Sequence, residues 1–268
     1  MLLLLPNIII GLGLSIGLCS AAGHTGALLA VMLIVWFAAG FLGSLLLTVA
    51  LIALISLFID PEKPQPTPSP FCAAIVRYVM GMIVTLLRIR IHESEEVEWP
   101  EGRWLLVGNH RSAFDPIITG WALRRHGLVF ISKPENLRIP VVGPFIHAAG
   151  FLSIDRENDR AALRTILDAA ELIRSGKTSV AVYPEGTRSH AEGMLPFRNG
   201  VFKIAQKAHA PVVVAAVRGA DEIAKRAPWR ATDVYLDICG VVDAETVAQH
   251  RTNEIGEVVQ KCISSANI

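Results

Sequence analysis

Hydrophobic and polar positions divide this chain sharply in two. The first 59 residues contain no Asp, Glu, Lys or Arg, and almost all charge lies from Asp60 onward. Within the uncharged part, residues 2–22 form one apolar run of about 21 residues and residues 27–59 a second of about 33, against the roughly 20 that a helix needs to cross a bilayer. Gly23-His24-Thr25-Gly26 reads as the turn between them. The pattern predicts a transmembrane helical hairpin over residues 1–59. The first arm lacks the basic leader of a secretory signal peptide. The turn carries no Lys or Arg, whereas Lys63, Arg77, Arg88 and Arg90 come after the second arm. Positive charge stays on the cytoplasmic side, so we expect an integral membrane protein with its remaining domain in the cytoplasm.

Residues 60–70 read D-P-E-K-P-Q-P-T-P-S-P. Alternating prolines favour a stiff, extended linker and mark a domain boundary. The next apolar stretch, 71–89, contains Arg77 and Arg88, whose stems can lie along lipid while their heads reach water. The segment 71–95 is therefore assigned to an amphipathic helix lying in the membrane interface.

From residue 96 to 268 the pattern changes to short apolar runs alternating with helical periodicity. The runs 104–108, 128–132, 151–154, 179–183 and 211–217 predict strands. Between them, 158–175 is the clearest helix, with Leu163, Ile166, Leu167, Ala170 and Ile173 on one face and Gly176 as its stop. A short helix is expected over 201–207, a last, edge strand over 234–242, and a polar-faced helix over 244–261. Strands alternating with helices indicate an α/β domain, a largely parallel sheet flanked by helices. In such sheets ligands gather beyond the C-terminal ends of the strands.

That rule directs attention to the residues just beyond each run. After 104–108 come Asn109, His110 and Arg111, with Asp115 five positions beyond the histidine. A carboxylate that fixes an imidazole tautomer makes a general base for a hydroxyl. By itself the pair is a weak motif, since His and Asp fall at this spacing by chance. Lys133 comes after the second run, Asp155-Arg156 after the third, Glu185-Gly186-Thr187-Arg188 after the fourth and Arg218 after the fifth. Arg156, Lys133 and Arg188 are candidates for one anionic group, the arginines as planar forks and the lysine as a point charge. Singly, each is an ordinary solvated charge; their shared position favours a site for Arg156 and Arg188. The 185–187 turn offers Gly186 for close backbone approach, together with Thr187 and backbone N–H donors. Phe197 either lines an apolar channel or seats its loop.

Composition removes several alternatives. A net charge of +1 over 268 residues leaves no nucleic-acid footprint. Cys19, Cys72, Cys239 and Cys262 are scattered without a C-x-x-C pair, which argues against a disulfide framework or a zinc site. Ser175-Gly176-Lys177-Thr178 resembles the end of a phosphate-binding loop, but Glu171 stands where its first glycine belongs. No G-x-S-x-G elbow, H-E-x-x-H pair or redox-cofactor fingerprint is present. His147, His190 and His209 are expected to be structural or surface residues.

These residues together resemble a known family. Asn109-His110-Arg111-Ser112-Ala113-Phe114-Asp115 resembles the N-H-x4-D box of the glycerolipid acyltransferases, the 1-acylglycerol-3-phosphate O-acyltransferases. Gly150 to Arg156 is similar to their second box. Tyr183-Pro184-Glu185-Gly186-Thr187-Arg188-Ser189 is similar to F-P-E-G-T-R-S, with Tyr183 in place of Phe. Ala210-Pro211-Val212-Val213-Val214-Ala215 resembles the fourth, without its usual second proline, and Ser132-Lys133-Pro134-Glu135 a lysine-bearing segment. The match runs from about Phe71 onward and leaves the apolar hairpin outside it.

The resemblance implies the glycerolipid acyltransferase fold and transfer of a fatty acyl group from acyl-CoA or acyl-carrier protein to a lipid hydroxyl. His110 would be the base and Asp115 its orienter. Lys133, Arg156 and the turn Glu185, Gly186, Thr187, Arg188 would hold the acceptor phosphate, with Asn109 and Arg111 in support. No metal or resident cofactor is implied; the acyl donor is a substrate. The leading acceptor is lysophosphatidate, giving phosphatidate. Glycerol 3-phosphate, another lysophospholipid or a lyso-aminolipid is the rival acceptor, and a non-catalytic membrane lipid-binding protein is the rival class.

Overall fold

The computed structural model describes residues 2–61, 63, 67–95, 97–155, 157–189 and 193–266. Part of the proline-rich linker, together with Arg156 and His190, lies outside the described residues. Two compact units emerge, Met1–Asp60 and Pro61–Ile268.

In the first unit a 3-10 turn leads into α1 (Leu5–Ala21), and α2 (Gly26–Ser56) packs back along it. A Cβ on Gly11 would lie 3.1 Å from Phe37, and one on Gly40 would lie 3.1 Å from the Gly11 Cα, so glycine lets the backbones approach. The seam between the helices is polar: Asn7 Nδ2 donates to Ser44 Oγ at 3.0 Å, and Ser15 Oγ donates to the Leu33 carbonyl at 2.9 Å. The outer face is apolar, with Ile16 62% and Ile34 70% exposed. Small residues at the seam and bare aliphatics outside suit helix pairing in lipid. At 31 residues α2 is long and apolar enough to cross a membrane; α1, at 17, is shorter.

The second unit is built on a seven-stranded sheet of order β1-β7-β6-β2-β5-β3-β4. Its strands are β1 (Ile89–Glu95), β2 (Leu105–Gly108), β3 (Leu128–Ser132), β4 (Leu152–Ser153), β5 (Ser179–Val182), β6 (Val212–Arg218) and β7 (Thr232–Val242). The five strands expected from the sequence, β2 to β6, run parallel, while β7 pairs antiparallel with β6 and parallel with β1. The ends of β2 to β6 therefore share one edge with the beginnings of β1 and β7. Leu105, Val107, Val180, Val212 and Val214 are almost wholly buried in the centre. Each such side chain contributes about 1.5–3 kcal/mol by burial. Helices cover both faces: α3 (Pro70–Leu86), α4 (Asp115–Ala122), α5 (Pro134–Leu137), α6 (Val142–Ala148), α7 (Asp159–Arg174), α8 (Lys203–Ala208), α9 (Ile223–Arg226), α10 (Ala244–Gln249) and α11 (Thr252–Ser265).

Four expectations need correction. The helix assigned to 71–95 ends at Leu86; Arg88 turns the backbone at φ +55°, and Ile89–Glu95 is a strand. I-R-I-H-E-S-E has too few apolar residues to register as a run. Its neighbour 234–242, expected at an edge, lies inside the sheet between β1 and β6. In α7, Leu163 and Leu167 are exposed, because the buried stripe runs through Ile166, Ala169, Ala170 and Ile173. Its ends agree with expectation: Asn158 caps the Ala161 N–H, and Gly176 stops the helix at φ +71°. The tail 244–261 is not one helix, since the chain breaks between α10 and α11, and Ile255, Val259 and Ile263 are buried.

α3 also turns its apolar stripe inward. Cys72, Val76, Met80 and Val84 are buried, and α3 packs on α4 and α6. A Cβ on Gly120 of α4 would meet Met80 Sδ at 2.9 Å. Phe71 and Leu86 remain exposed at the two ends.

Candidate active site

The site begins where β2 stops. A Cβ on Gly108 would stand 3.1 Å from the Ala215 carbonyl, so the strand closes on β6 with glycine. Buried Asn109 then continues the sheet with its side chain. Its Nδ2 donates to the Val217 carbonyl at 2.9 Å, and the Val217 N–H donates to its Oδ1 at 2.8 Å. This imitation of a strand pair frees the main chain to turn outward, bringing His110 to the sheet edge.

Asp115 opens α4, with Pro116 in the first turn, where the helix dipole favours a carboxylate. Its Oδ2 receives the N–H groups of Arg111 (2.8 Å) and Ser112 (2.7 Å) and pairs with His110 Nδ1 (2.9 Å). A carboxylate only accepts, so Nδ1 carries the proton and Nε2 keeps its lone pair. Asp115 is 1% exposed and the His110 side chain 20%. Ser112 ties this loop to the chain just after β6 by donating from Oγ to the Ala220 carbonyl at 2.9 Å.

The turn after β5 grips the backbone of the same histidine on both sides. Glu185 Oε1 accepts the His110 N–H at 2.7 Å, and Ser189 N–H donates to the His110 carbonyl at 2.8 Å. Glu185 Oε2 accepts the Leu195 N–H at 2.8 Å. Burial pushes the Glu185 carboxyl up, while its bonds from Leu195 and His110 pull it back. Both oxygens are thus committed to backbone, so the carboxylate braces the site, whereas Thr187 and Arg188 beside it are exposed. Gly186 is buried at φ +74°, a conformation that suits glycine.

Tyr183 completes the frame. Its ring stacks on His110 with centroids 4.7 Å apart and planes 17° from parallel, and it also stacks with Phe130 at 6.2 Å. The hydroxyl donates to Thr119 Oγ1 at 3.3 Å. Burial, and then the charge of Asp115, holds the phenol well above its ordinary range. In the sequence Tyr183 stands out only as a departure from the family box; an aromatic directly after a buried strand, on the edge that carries the histidine, is the signal that could have found it.

Lys133, Arg111 and Arg218 come to the same edge by topology. Lys133 is exposed immediately after β3 and precedes α5. Arg111 is half-buried, with its backbone held by Asp115. Arg156, three residues beyond the end of β4, lies outside the described residues. Arg218 is drawn along the sheet, donating to Asp237 Oδ2 at 2.7 Å and lying 5.2 Å from the Tyr235 ring centroid. Phe197 packs against the core and so seats its loop. His147 bonds the Lys63 carbonyl and His209 ends α8 in the left-handed conformation.

Known proteins resemble this chain in sequence and fold. Residues 88–218 match the acyltransferase family. The 1-acyl-sn-glycerol-3-phosphate acyltransferase of Limnanthes alba is 29% identical over 158 residues, 59% of this chain and 56% of that protein. The protein of the same name from Haemophilus influenzae is 24% identical over 195 residues, 72% of this chain and 80% of its own. The Escherichia coli protein is 27% identical over 146 residues, 54% of this chain and 59% of its own. The chain thus spans a little over half the length of the plant relative it matches. The crystal structure of the 1-acyl-sn-glycerophosphate (LPA) acyltransferase PlsC from Thermotoga maritima shares the fold, with TM-score 0.56 and 22% identity over 82% of this chain and 89% of that one. With its ordered boxes and its matched domain in agreement, this chain carries an acyltransferase-family domain over residues 88–218 and is similar in sequence to 1-acyl-sn-glycerol-3-phosphate acyltransferases.

Proposed function

We propose that this protein transfers a fatty acyl group from acyl-CoA or acyl-carrier protein to the sn-2 hydroxyl of lysophosphatidate, forming phosphatidate. The observation that carries this reading is the His110–Asp115 pair, held rigidly at an open sheet edge. His110 Nε2 takes the proton of the acceptor hydroxyl as its oxygen attacks the thioester carbonyl. Asp115 stabilises the imidazolium that results. Collapse of the tetrahedral intermediate expels the thiolate, which recovers that proton as the free thiol. The Asn109 amide is committed to Val217, so the oxyanion's donors are assigned to backbone N–H groups. Lys133, Arg156, Thr187, Gly186 and Arg188 receive the acceptor phosphate, with Glu185 holding their turn in place. A pure lipid binder has no use for an imidazole fixed by a carboxylate, a stacked ring and a braced backbone. The test is thioester consumption with lysophosphatidate, glycerol 3-phosphate and other lysolipids in parallel. Turnover with lysophosphatidate is expected; turnover with another acceptor alone transfers the reading to that acceptor, and lipid binding without turnover defeats the enzyme reading.

The polar seam and apolar exterior of the first unit support a hairpin lying in the bilayer, with α2, about 46 Å long at 1.5 Å per residue, exceeding the hydrocarbon core. The basic residues after it support a cytoplasmic catalytic domain.

Three substitutions test neighbouring roles. Arg156→Ala is expected to raise the KM for lysophosphatidate roughly tenfold or more, as loss of a charge-assisted hydrogen bond of about 1.5–3 kcal/mol implies. An unchanged KM removes Arg156 from the site. Tyr183→Phe keeps the stacked ring and loses only the Thr119 bond, whose roughly 0.5–1.5 kcal/mol falls on stability and not on the reacting groups, so kcat should fall less than about threefold. Tyr183→Leu removes the surface that sets the imidazole plane, and kcat should fall at least about tenfold with KM little changed, because misplacement of a reacting group is costly. Equal kcat in the two variants eliminates that positioning role.

A further inference from the structure

We propose that the loop between α9 and β7, with Trp229 at its tip, is a second membrane contact, one that seats the catalytic edge of the domain on an anionic phospholipid surface. Trp229 is 84% exposed, although a tryptophan has a large apolar area to bury. Its exposure is built in. Arg88 Nη1 donates to the Trp229 carbonyl at 2.9 Å, Arg230 N–H donates to the Arg226 carbonyl at 2.9 Å, and Thr232 N–H bonds the Arg88 carbonyl at 3.3 Å. The backbone beneath the indole is thus tied to the start of the sheet, and the ring stands out from it.

Its surroundings are predominantly basic. Arg88, Arg90, Lys225, Arg226 and Arg230 lie on this loop, on α9 before it and on the adjoining start of β1, which pairs with the start of β7 from Ile89↔Thr232 onward. Against these five cations stand the carboxylates Asp221, Glu222 and Asp233. Glu222 bonds Lys225 at 2.7 Å, and Asp233 bonds His92 at 2.8 Å. Leu86, at the end of α3, adds exposed apolar surface shortly before Arg88. An indole prefers the bilayer interface, where its apolar body and polar N–H are both accommodated, and arginines pair with lipid phosphates. An acidic protein partner would use the cations but would not require the projecting indole.

Topology gives the contact its consequence. β7 runs antiparallel to β6, with Arg218 opposite Tyr235, so the loop before β7 lies at the edge where β2 delivers His110. α3 has buried its apolar stripe within the domain, leaving this loop as an outward aromatic anchor on that edge. A lipid acceptor would then reach the histidine along the membrane surface. That consequence rests on the acyltransferase reading; the membrane contact itself does not.

The test uses the full chain in vesicles of phosphatidylcholine and phosphatidylglycerol, with and without brominated acyl chains. Subtracting the emission of Trp229→Ala from that of the wild type isolates Trp229. We expect this difference emission to be blue-shifted and quenched by brominated lipid. The Arg226→Gln/Arg230→Gln variant should lose much of that quenching. It should also raise the apparent KM for vesicle-borne lysophosphatidate by about fivefold per arginine removed, with kcat and the KM for a dispersed short-chain acceptor unchanged. Difference emission quenched by aqueous iodide and indifferent to brominated lipid overturns the proposal. So does a double variant that impairs only use of an acyl-carrier-protein donor while lipid quenching persists. If the wild type transfers no acyl group, the quenching still decides the loop, and only the proposed reaction falls.

Discussion

Replacing His110 with alanine is expected to abolish acyl transfer while leaving the domain folded. Loss of a positioned general base costs about 10² to 10⁴-fold. We expect the upper part of that range, because no second imidazole accompanies His110 among the described residues of the dyad and its enclosing turn. The fold survives because the backbone of residue 110 retains its partners: its N–H still donates to Glu185, and its carbonyl still accepts from Ser189. What disappears is the stack on Tyr183 and the bond to Asp115. The measurement is kcat with lysophosphatidate alongside a thermal melt. A loss on the order of 1 kcal/mol moves the melting temperature by about 2–4 °C in a domain of this size. A folded variant with wild-type kcat removes His110 as the base. A variant that fails to fold makes the histidine structural.

Asp115→Asn should be nearly as damaging to catalysis and also costs stability. An asparagine oxygen can still accept from Arg111, Ser112 and His110, preserving the tautomer, but it carries no charge to stabilise the imidazolium. In a comparable His–Asp pair the amide lowers kcat by about 10⁴-fold because it selects the wrong tautomer; with the tautomer kept here, loss of the charge alone should cost less, about 10² to 10³-fold. The amide also places an NH2 where Asp115 Oδ1 now lies buried without a hydrogen-bond partner. A buried donor left unsatisfied costs about 1–3 kcal/mol. Asp115→Ala goes further, stranding the Arg111 and Ser112 N–H groups together, and should destabilise more than the amide. A kcat for Asp115→Asn within about threefold of wild type would show that the charge contributes little. Equal melting temperatures for the amide and alanine variants would show that the two backbone bonds contribute little to the fold.

Local signals in the chain, strand period and turn residues, were enough to specify the polar cluster at each strand end, from Asn109-His110 to Arg218. They also specified the parallel α/β class, the uncharged front unit, and the Asn158 and Gly176 ends of α7. The dyad was legible because His110 and Asp115 are five positions apart on one loop and helix start. How that dyad is held came from long-range packing. Glu185 bonds His110 across 75 positions and Asn109 bonds Val217 across 108, distances over which no periodicity carries information. Packing also settled what β1 is: seven residues interspersed with charge gain strand structure only by pairing with β7, which in turn moved β7 from the edge to the interior. The buried stripe of α7 lies against the sheet around Ile166 and Ala169, leaving Leu163 and Leu167 outside, because packing selects among helix faces that a local pattern leaves nearly equivalent. The placement of Trp229 is of the same kind: its loop reads locally as an ordinary turn, and only the antiparallel run of β7 beside β6 brings it to the edge that carries His110.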